Sequence, residues 1–134
     1  MTQRQRLADT AGGYLGVPFR LHGRDPRIGL DCVGLVAVCL EEVGARPLVP
    51  TGYALRNRSI ESWLNCADRS SLAPATGAAE AGDILLLRPG PHQHHLAIDP
   101  CDGSIIHAHA GLRRVVRQPF NRSTRVLARW QLID

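Results

Sequence analysis

Cys32 is the residue whose position in the sequence points most directly to chemistry. It follows Gly29, Leu30 and Asp31 and opens an almost continuous apolar run to Val43, which predicts a buried helix that begins at the cysteine. A thiol at a helix N-terminus lies at the positive end of the helix dipole, which favours the thiolate over the thiol. The sequence therefore predicts a nucleophilic cysteine that needs a base from elsewhere in the chain.

Histidines that can supply this base lie about sixty residues further along the chain. They fall in two short segments, residues 92–95 and 107–109. A cysteine with distant histidines is typical of a cysteine peptidase, because the catalytic partners meet only in the folded protein.

A predicted β-hairpin carries both histidine segments, and its register decides which histidines can cooperate. A two-residue turn at residues 102–103 would place His95 and His107 on opposite faces of the sheet. A three-residue loop at residues 101–103, with its glycine left-handed, places them on one face together with His109. His107 then lies diagonal to His95, close enough for the two rings to meet.

Three interpretations of the histidines remain open on residue types and spacing alone. In the first, one histidine is the general base for Cys32 and another orients it. In the second, the cluster binds a transition metal, which leaves the cysteine without a role. In the third, the histidines are polar side chains on a sheet edge. The candidate metal ligands are His92, His94, His95, His107 and Cys101.

Length and composition predict one globular domain spanning residues 1–134. No apolar run approaches the roughly 20 residues that span a bilayer, so no membrane insertion is expected. The first nine residues are polar and lack the apolar segment of a secretory signal. The chain is therefore expected to be cytoplasmic on synthesis.

The net charge of +4 comes from arginine alone, since the chain has no lysine. The charge would favour approach to a polyanion such as nucleic acid or an anionic cell wall. Solvated strand faces explain the arginines more simply, and no aromatic residues are interleaved with them. We expect no nucleic-acid partner.

The periodicity predicts helices first and strands afterwards. Helices are expected at residues 3–14, 32–43 and 59–66, a loop at 70–81, and strands at 83–88, 95–99, 104–110, 113–118 and 125–133. This order predicts an α+β fold with an antiparallel sheet. Cys39 is expected in the core and Cys101 in a hairpin loop.

Taken together, these segments resemble the NlpC-type cysteine peptidases of bacterial cell walls. Each motif is weak alone, but their order and spacing are specific. The matching motifs are residues 15–19 (LGVPF), 29–36 (GLDCVGLV), 82–86 (GDILL), 95–98 (HLAI) and 105–108 (IIHA). The resemblance implies a papain-like fold, with N-terminal helices packed on a small antiparallel β-sheet, and no cofactor or metal.

The same resemblance implies a Cys-His-polar triad that hydrolyses amide bonds in peptidoglycan stem peptides. Cys32 is then the nucleophile, His95 the base and His107 the third member, with His109 as the alternative third member. Asp31 is a substrate contact or simply the helix N-cap. Phe19 lies near the oxyanion site, where many members of the family have tyrosine.

The closing segment, residues 120–129, resembles the phage and gene-transfer-agent branch of the family. This implies a particle-associated hydrolase that acts on the cell wall, with phage-tail or gene-transfer-agent proteins as possible partners. One alternative is a catalytically weak or inactive phage-tail structural or binding protein of the same fold, which the missing hydroxyl at Phe19 favours. Another is an acyltransferase of the same papain-like class.

Overall fold

Two α-helices and eight strands make up the described part of the chain. The computed structural model describes residues 1–47, 70–91, 93–121 and 123–133. The elements are α1 (Gln3–Gly13), β1 (Arg24–Asp25), β2 (Gly29–Leu30), α2 (Cys32–Glu42), β3 (Leu72–Pro74), β4 (Asp83–Arg88), β5 (His95–Asp99), β6 (Ser104–His109), β7 (Arg114–Pro119) and β8 (Arg125–Leu132). Within these ranges no helix is long and apolar enough to cross a membrane.

Six of the strands form one antiparallel sheet in the order β3-β8-β4-β5-β6-β7. One face of this sheet packs against both helices through buried residues such as Leu86, Ile98 and Ile106. A smaller cluster, which includes Leu85 and Ala97, lies on the opposite face. The predicted α+β architecture, with helices packed on an antiparallel sheet, is confirmed.

Helix α2 begins at the predicted residue, Cys32, and ends at Glu42, one residue before the predicted end. The carboxylate of its N-cap, Asp31, accepts a hydrogen bond from the Gly34 backbone N–H at 2.8 Å. The helix ends before Gly44, whose φ of +89° is the left-handed conformation that glycine adopts readily. Because nearly every side chain between these ends is apolar, the helix is buried and fixes Cys32 at its first turn.

The β5–β6 hairpin has the register that brings the histidines together. Ile98 pairs with Ile106, which is the register of a three-residue loop, and Gly103 has a φ of +85°. Side chains alternate along both strands, so His95 and His107 share one face of the sheet. The register expected from cooperating histidines is confirmed.

Two short strand pairs lie where the sequence indicates only loop. Strand β3 falls inside the predicted loop at residues 70–81 and pairs with β8 at the edge of the sheet. Strands β1 and β2 form a two-residue ladder in the Gly- and Pro-rich segment before Cys32. These strands have only two or three residues each, which is too few to show a periodic pattern in the sequence. The predicted helix at 59–66, with Cys66, lies outside the described residues.

We expect Gly34→Ala to destabilise the protein although alanine is the better helix former. A Cβ at residue 34 would overlap the backbone carbonyl oxygen of Gly23, which cannot move as a side chain can. The expected loss in the free energy of unfolding is about 1–3 kcal/mol, the usual cost of overpacking. Urea denaturation measures it.

Gly13→Ala is the matched control, because a Cβ there has no neighbour within 4 Å. This variant should gain up to about 1 kcal/mol from helix propensity. Equal responses of the two glycines would contradict the close approach of α2 to the segment around Gly23.

Candidate active site

A cavity of about 370 Å³ lies where the first turn of α2 meets the start of β5 and the end of β6. The five residues that the family resemblance assigns to catalysis or substrate contact line this cavity. They are Cys32, His95, His107, Asp31 and Phe19. The fold therefore brings together residues that are up to 88 positions apart in the chain (from 19 to 107).

A chain of hydrogen bonds links the two histidines to a glutamine on β7. Nε2 of His95 lies 2.7 Å from Nδ1 of His107, and the two rings meet edge to face with centroids 4.9 Å apart. Nε2 of His107 lies 2.8 Å from Oε1 of Gln118. His107, and not His109, is thus the histidine that contacts His95 through a hydrogen bond.

His109 is held by the turn that follows β6. Its Nδ1 accepts a hydrogen bond from the Leu112 backbone N–H at 3.0 Å. Its ring lines the cavity and lies edge to face with that of His107, with centroids 5.4 Å apart. His109 therefore contacts His107 by ring packing and not through a hydrogen bond.

The surroundings of Cys32 oppose the thiolate that its position at the helix N-terminus favours. Burial raises the pKa of Cys32 to about 12, and the negative charge of Asp31 adds to the rise. Hydrogen bonds from the backbone of Leu96 and Val33 favour the thiolate, but they are outweighed. The helix dipole favours the thiolate, whereas the loss of solvent around the sulfur, which only the folded structure reveals, favours the thiol.

The imidazoles are also neutral at rest. Burial lowers the pKa of His95 to about 3, with smaller contributions from the charges of His107 and His109. Burial also lowers the pKa of His107, against the opposing effect of its hydrogen bond to Gln118. At neutral pH the cavity therefore holds a thiol beside uncharged imidazoles, an arrangement suited to general-base activation of the sulfur.

Asp31 is fully buried and has a clear structural role. Besides capping α2, its carboxylate accepts the His22 backbone N–H at 2.8 Å and pairs with the Arg24 guanidinium at 2.9 Å. These contacts fix the β1–β2 segment against the first turn of α2. Of the two roles left open by the sequence, the geometry shows the N-cap, and the substrate contact stays a prediction.

Phe19 lines the cavity, as expected, and offers it no hydrogen-bond donor. Tyr14, a possible substitute for a missing tyrosine hydroxyl, points elsewhere. Its hydroxyl donates to Glu42 near the C-terminal end of α2, and it does not line the cavity. Among the described residues that line the cavity, the N–H donors that remain for an oxyanion are backbone groups, the histidines and the amide of Gln93.

The residues do not assemble into a metal centre in the described ranges. There, no group of three or more histidine, cysteine or acidic side chains is placed to hold a metal ion. Cys101, one candidate ligand, is exposed in the hairpin loop, where its Sγ donates to the Ala79 carbonyl oxygen at 3.5 Å. His92, another candidate, lies outside the described residues.

The sequence does not indicate a catalytic role for two further residues at or next to the cavity. Gln118 follows an arginine in an ordinary alternating strand, and nothing local distinguishes it from a solvated side chain. Only the β6–β7 register reveals it, because His107 pairs with Val116 and so lies diagonal to Gln118. His94 lines the cavity with its Nδ1 buried and unpartnered within the described residues.

We expect the free energy of unfolding to fall as the pH drops from 6.5 to 5. The pKa of His95 is about 3 in the folded protein, below the value of about 6.5 of an unfolded chain. In this window the unfolded state binds a proton that the folded state does not. The stability is therefore complete above pH 6.5 and is lost at about 1.4 kcal/mol per pH unit below it.

Urea titrations at several pH values measure this slope. His95→Gln should reduce the slope of the free energy of unfolding against pH by about 1.4 kcal/mol per pH unit, since glutamine does not titrate. A variant with the same slope as the natural chain would show that His95 is free to protonate in the folded state.

A cysteine at the start of a buried helix, facing an antiparallel sheet that carries histidines, defines a papain-like α+β fold. The profile of the NlpC/P60 family matches residues 16–126, and the chain belongs to this family. The NlpC-type resemblance of the motifs is thereby confirmed. No curated protein sequence shows significant similarity to the chain.

Solved structures of the same family share the fold. NlpC2 from Trichomonas vaginalis is 18% identical with a TM-score of 0.71, over 96% of this chain and 48% of its own. The peptidoglycan hydrolase RipB from Mycobacterium tuberculosis is 21% identical with a TM-score of 0.68, over 98% of this chain and 65% of its own. The NlpC/p60 domain of the peptidoglycan hydrolase SagA is 24% identical with a TM-score of 0.58, over 87% and 88%. The chain spans about half the length of the Trichomonas proteins.

Proposed function

We propose that the chain is a cysteine peptidase that hydrolyses amide bonds in the stem peptides of peptidoglycan. The observation that carries this proposal is the hydrogen-bonded pair His95–His107 in the same cavity as Cys32. Membership in the NlpC/P60 family supports it, and so do the peptidoglycan hydrolases RipB and SagA, which have the same fold.

In the proposed mechanism, Cys32 is the nucleophile and His95 is the base. Nδ1 of His95 takes the thiol proton as the sulfur attacks the amide carbon, and a C–S bond forms while the carbonyl π-bond opens. His95 then gives the proton to the leaving amine, the C–N bond breaks, and a thioester remains. Water activated by the same nitrogen hydrolyses the thioester and restores the thiol.

His107 is the orienting member of this triad. Its hydrogen bond holds the His95 ring and supports the positive charge that develops on it during attack. The negative oxygen of the tetrahedral intermediate would be stabilised by backbone N–H groups at the first turn of α2. Phe19 and Asp31 are proposed to contact the substrate beside this position, Phe19 through its ring and Asp31 through the amine of the stem peptide.

Digestion of purified muropeptides that carry free stem peptides tests the proposal. We expect new amino termini, measured by mass spectrometry, and complete inhibition after alkylation with iodoacetamide. Activity that a chelator removes would instead favour the metal interpretation. Transfer of the acyl group to the amine of a second stem peptide in preference to water would favour an acyltransferase.

We also propose that the enzyme is made in the cytoplasm and reaches the cell wall as part of a phage or gene-transfer-agent particle. The resemblance of residues 120–129 to that branch of the family supports this. An antibody to the chain should detect it in purified particles and not only in the cell lysate. Its absence from such particles would contradict delivery by this route.

A second candidate is a phage-tail structural or binding protein with little catalytic power. The observation that favours it is Phe19, which leaves that wall of the cavity without a hydroxyl donor. Loss of one oxyanion donor costs about 2.7–4 kcal/mol of barrier. Phe19→Tyr separates the candidates: a large gain in rate would mark the natural chain as weakened, whereas no gain would mean that the backbone donors suffice.

A further inference from the structure

Gln118 contacts the histidine pair on the side of His107 that is turned away from His95. It lies on β7, next to the strand that carries His107, and on the same face of the sheet because residues 116 and 118 have the same parity. Its side-chain oxygen, Oε1, lies 2.8 Å from Nε2 of His107. It does not line the cavity, so it acts on the chemistry only through the histidines.

With the amide oxygen of Gln118 turned towards His107, the two hydrogen bonds are compatible with one arrangement of protons. The amide oxygen of Gln118 can only accept, so Nε2 of His107 carries the hydrogen. A neutral imidazole has one N–H, so Nδ1 of His107 accepts, and its partner at 2.7 Å, Nε2 of His95, must donate. The remaining nitrogen of His95, Nδ1, then carries no hydrogen and has a free lone pair.

We propose that Gln118 is the positioning residue that sets this proton arrangement and so leaves Nδ1 of His95 unprotonated as the base. The proposal rests on the proposed function, in which His95 receives the proton of Cys32. A donor in place of the Gln118 oxygen would reverse both hydrogen bonds and put an N–H where the base is needed. The glutamine thus acts in the manner of the third member of a triad, one residue further out.

The neutrality of Gln118 has a second consequence. The titratable groups that face His107 are His95 from β5, His109 from β6 and Cys32 from α2, and burial lowers the pKa of both His95 and His107. The cavity's one carboxylate in the described ranges, Asp31, is paired with Arg24. A neutral amide behind His107 adds no charge that would favour an imidazolium and thiolate at rest.

NMR of ¹⁵N-histidine-labelled protein tests the proton arrangement without requiring activity. In the natural chain we expect Nε2–H on both His95 and His107. In Gln118→Leu the acceptor is gone, so both histidines should show a mixture of tautomers. We expect kcat to fall about 10-fold to 100-fold with KM unchanged, part of the 10²–10⁴ that a general base supplies.

Gln118→Glu keeps the acceptor and adds a negative charge. We expect it to retain Nε2–H on His107 and to raise the rate of Cys32 alkylation by iodoacetamide several-fold at pH 5–6, because the charge favours the imidazolium and with it the thiolate. The natural chain should instead show a rate that rises with pH throughout pH 5–9. Peptide mapping assigns the modified cysteine, and all proteins carry Cys101→Ser so that this exposed thiol does not compete.

Gln131→Leu is the matched control, since Gln131 lies on β8 and bonds to Glu80 at the surface. It should change neither the tautomers nor the alkylation profile. Natural tautomers in Gln118→Leu, or an unchanged alkylation profile in Gln118→Glu, would overturn the proposal. Because these readouts need no substrate, they stand or fall separately from peptidase activity in the natural chain.

Discussion

Cys32→Ala is expected to lower kcat/KM for stem-peptide hydrolysis by about 10⁴-fold or more. No other described residue of the cavity carries a thiol. In the proposed mechanism, a chain without this sulfur keeps only binding and oxyanion stabilisation. His95→Ala should cost a similar factor. Because the two residues act as one unit, the double variant should be hardly slower than either single variant.

The same substitution should leave the fold intact. Cys32 is only partly buried, so alanine leaves a small gap, and the Asp31 cap and its hydrogen bond to Gly34 are untouched. Cys39→Ala is the matched control in the same helix, since Cys39 is completely buried. We expect that control to lose stability, measured by urea denaturation, and to keep its activity.

The kinetic readout is the release of amino groups from a purified stem peptide under saturating and limiting substrate. Retention of more than a small fraction of activity by Cys32→Ala, in protein free of the natural chain, would exclude the sulfur as nucleophile. A double variant much slower than both single variants would show that His95 and Cys32 act independently.

Much of this site follows from the sequence because its determinants are local. The N-cap, the apolar run and Gly44 define α2 without tertiary information, and thus the position of Cys32. The hairpin register depends only on loop length and strand parity, so the shared face of His95 and His107 is predictable as well.

The remainder depends on contacts that no local pattern records. Gln118 joins the site through the pairing of two strands, and the charge state of Cys32 depends on how far the fold removes water from around the sulfur. The dipole of α2 can be inferred from the sequence, whereas the desolvation that outweighs it is a property of the assembled cavity. The edge strand β3 likewise cannot be predicted locally, because it forms by pairing with β8.

Asp83 and Arg129 form an ion pair in which the carboxylate is buried and the arginine is partly exposed. The family motif at residues 82–86 includes Asp83 but not its partner. The Asp83 carboxylate is fully buried, and its Oδ2 accepts from Arg129 at 2.8 Å and from the Glu80 backbone N–H at 3.0 Å. The same guanidinium donates to the carbonyl oxygens of Gly77 and Ala78. The pair thus fastens the segment before β4 to strand β8.

Arg129→Met is expected to lower the free energy of unfolding by about 3–5 kcal/mol. Removal of one partner leaves the Asp83 carboxylate buried without its cation, and that uncompensated charge accounts for most of the cost. This is a large fraction of the 5–15 kcal/mol that stabilises a typical domain. Urea denaturation followed by the fluorescence of the buried Trp130 measures the loss.

Two further variants separate the charge from the packing. Adding Asp83→Asn to Arg129→Met removes the buried charge and should recover much of the lost stability, whereas a merely structural role for the arginine stem predicts a further loss. Arg117→Met is the surface control, because its pair with Asp102 is about half exposed and should contribute no more than about 1 kcal/mol. Equal losses at residues 117 and 129 would mean that solvent screens the Asp83 carboxylate, and the Gly-Asp motif would then need an explanation other than this ion pair.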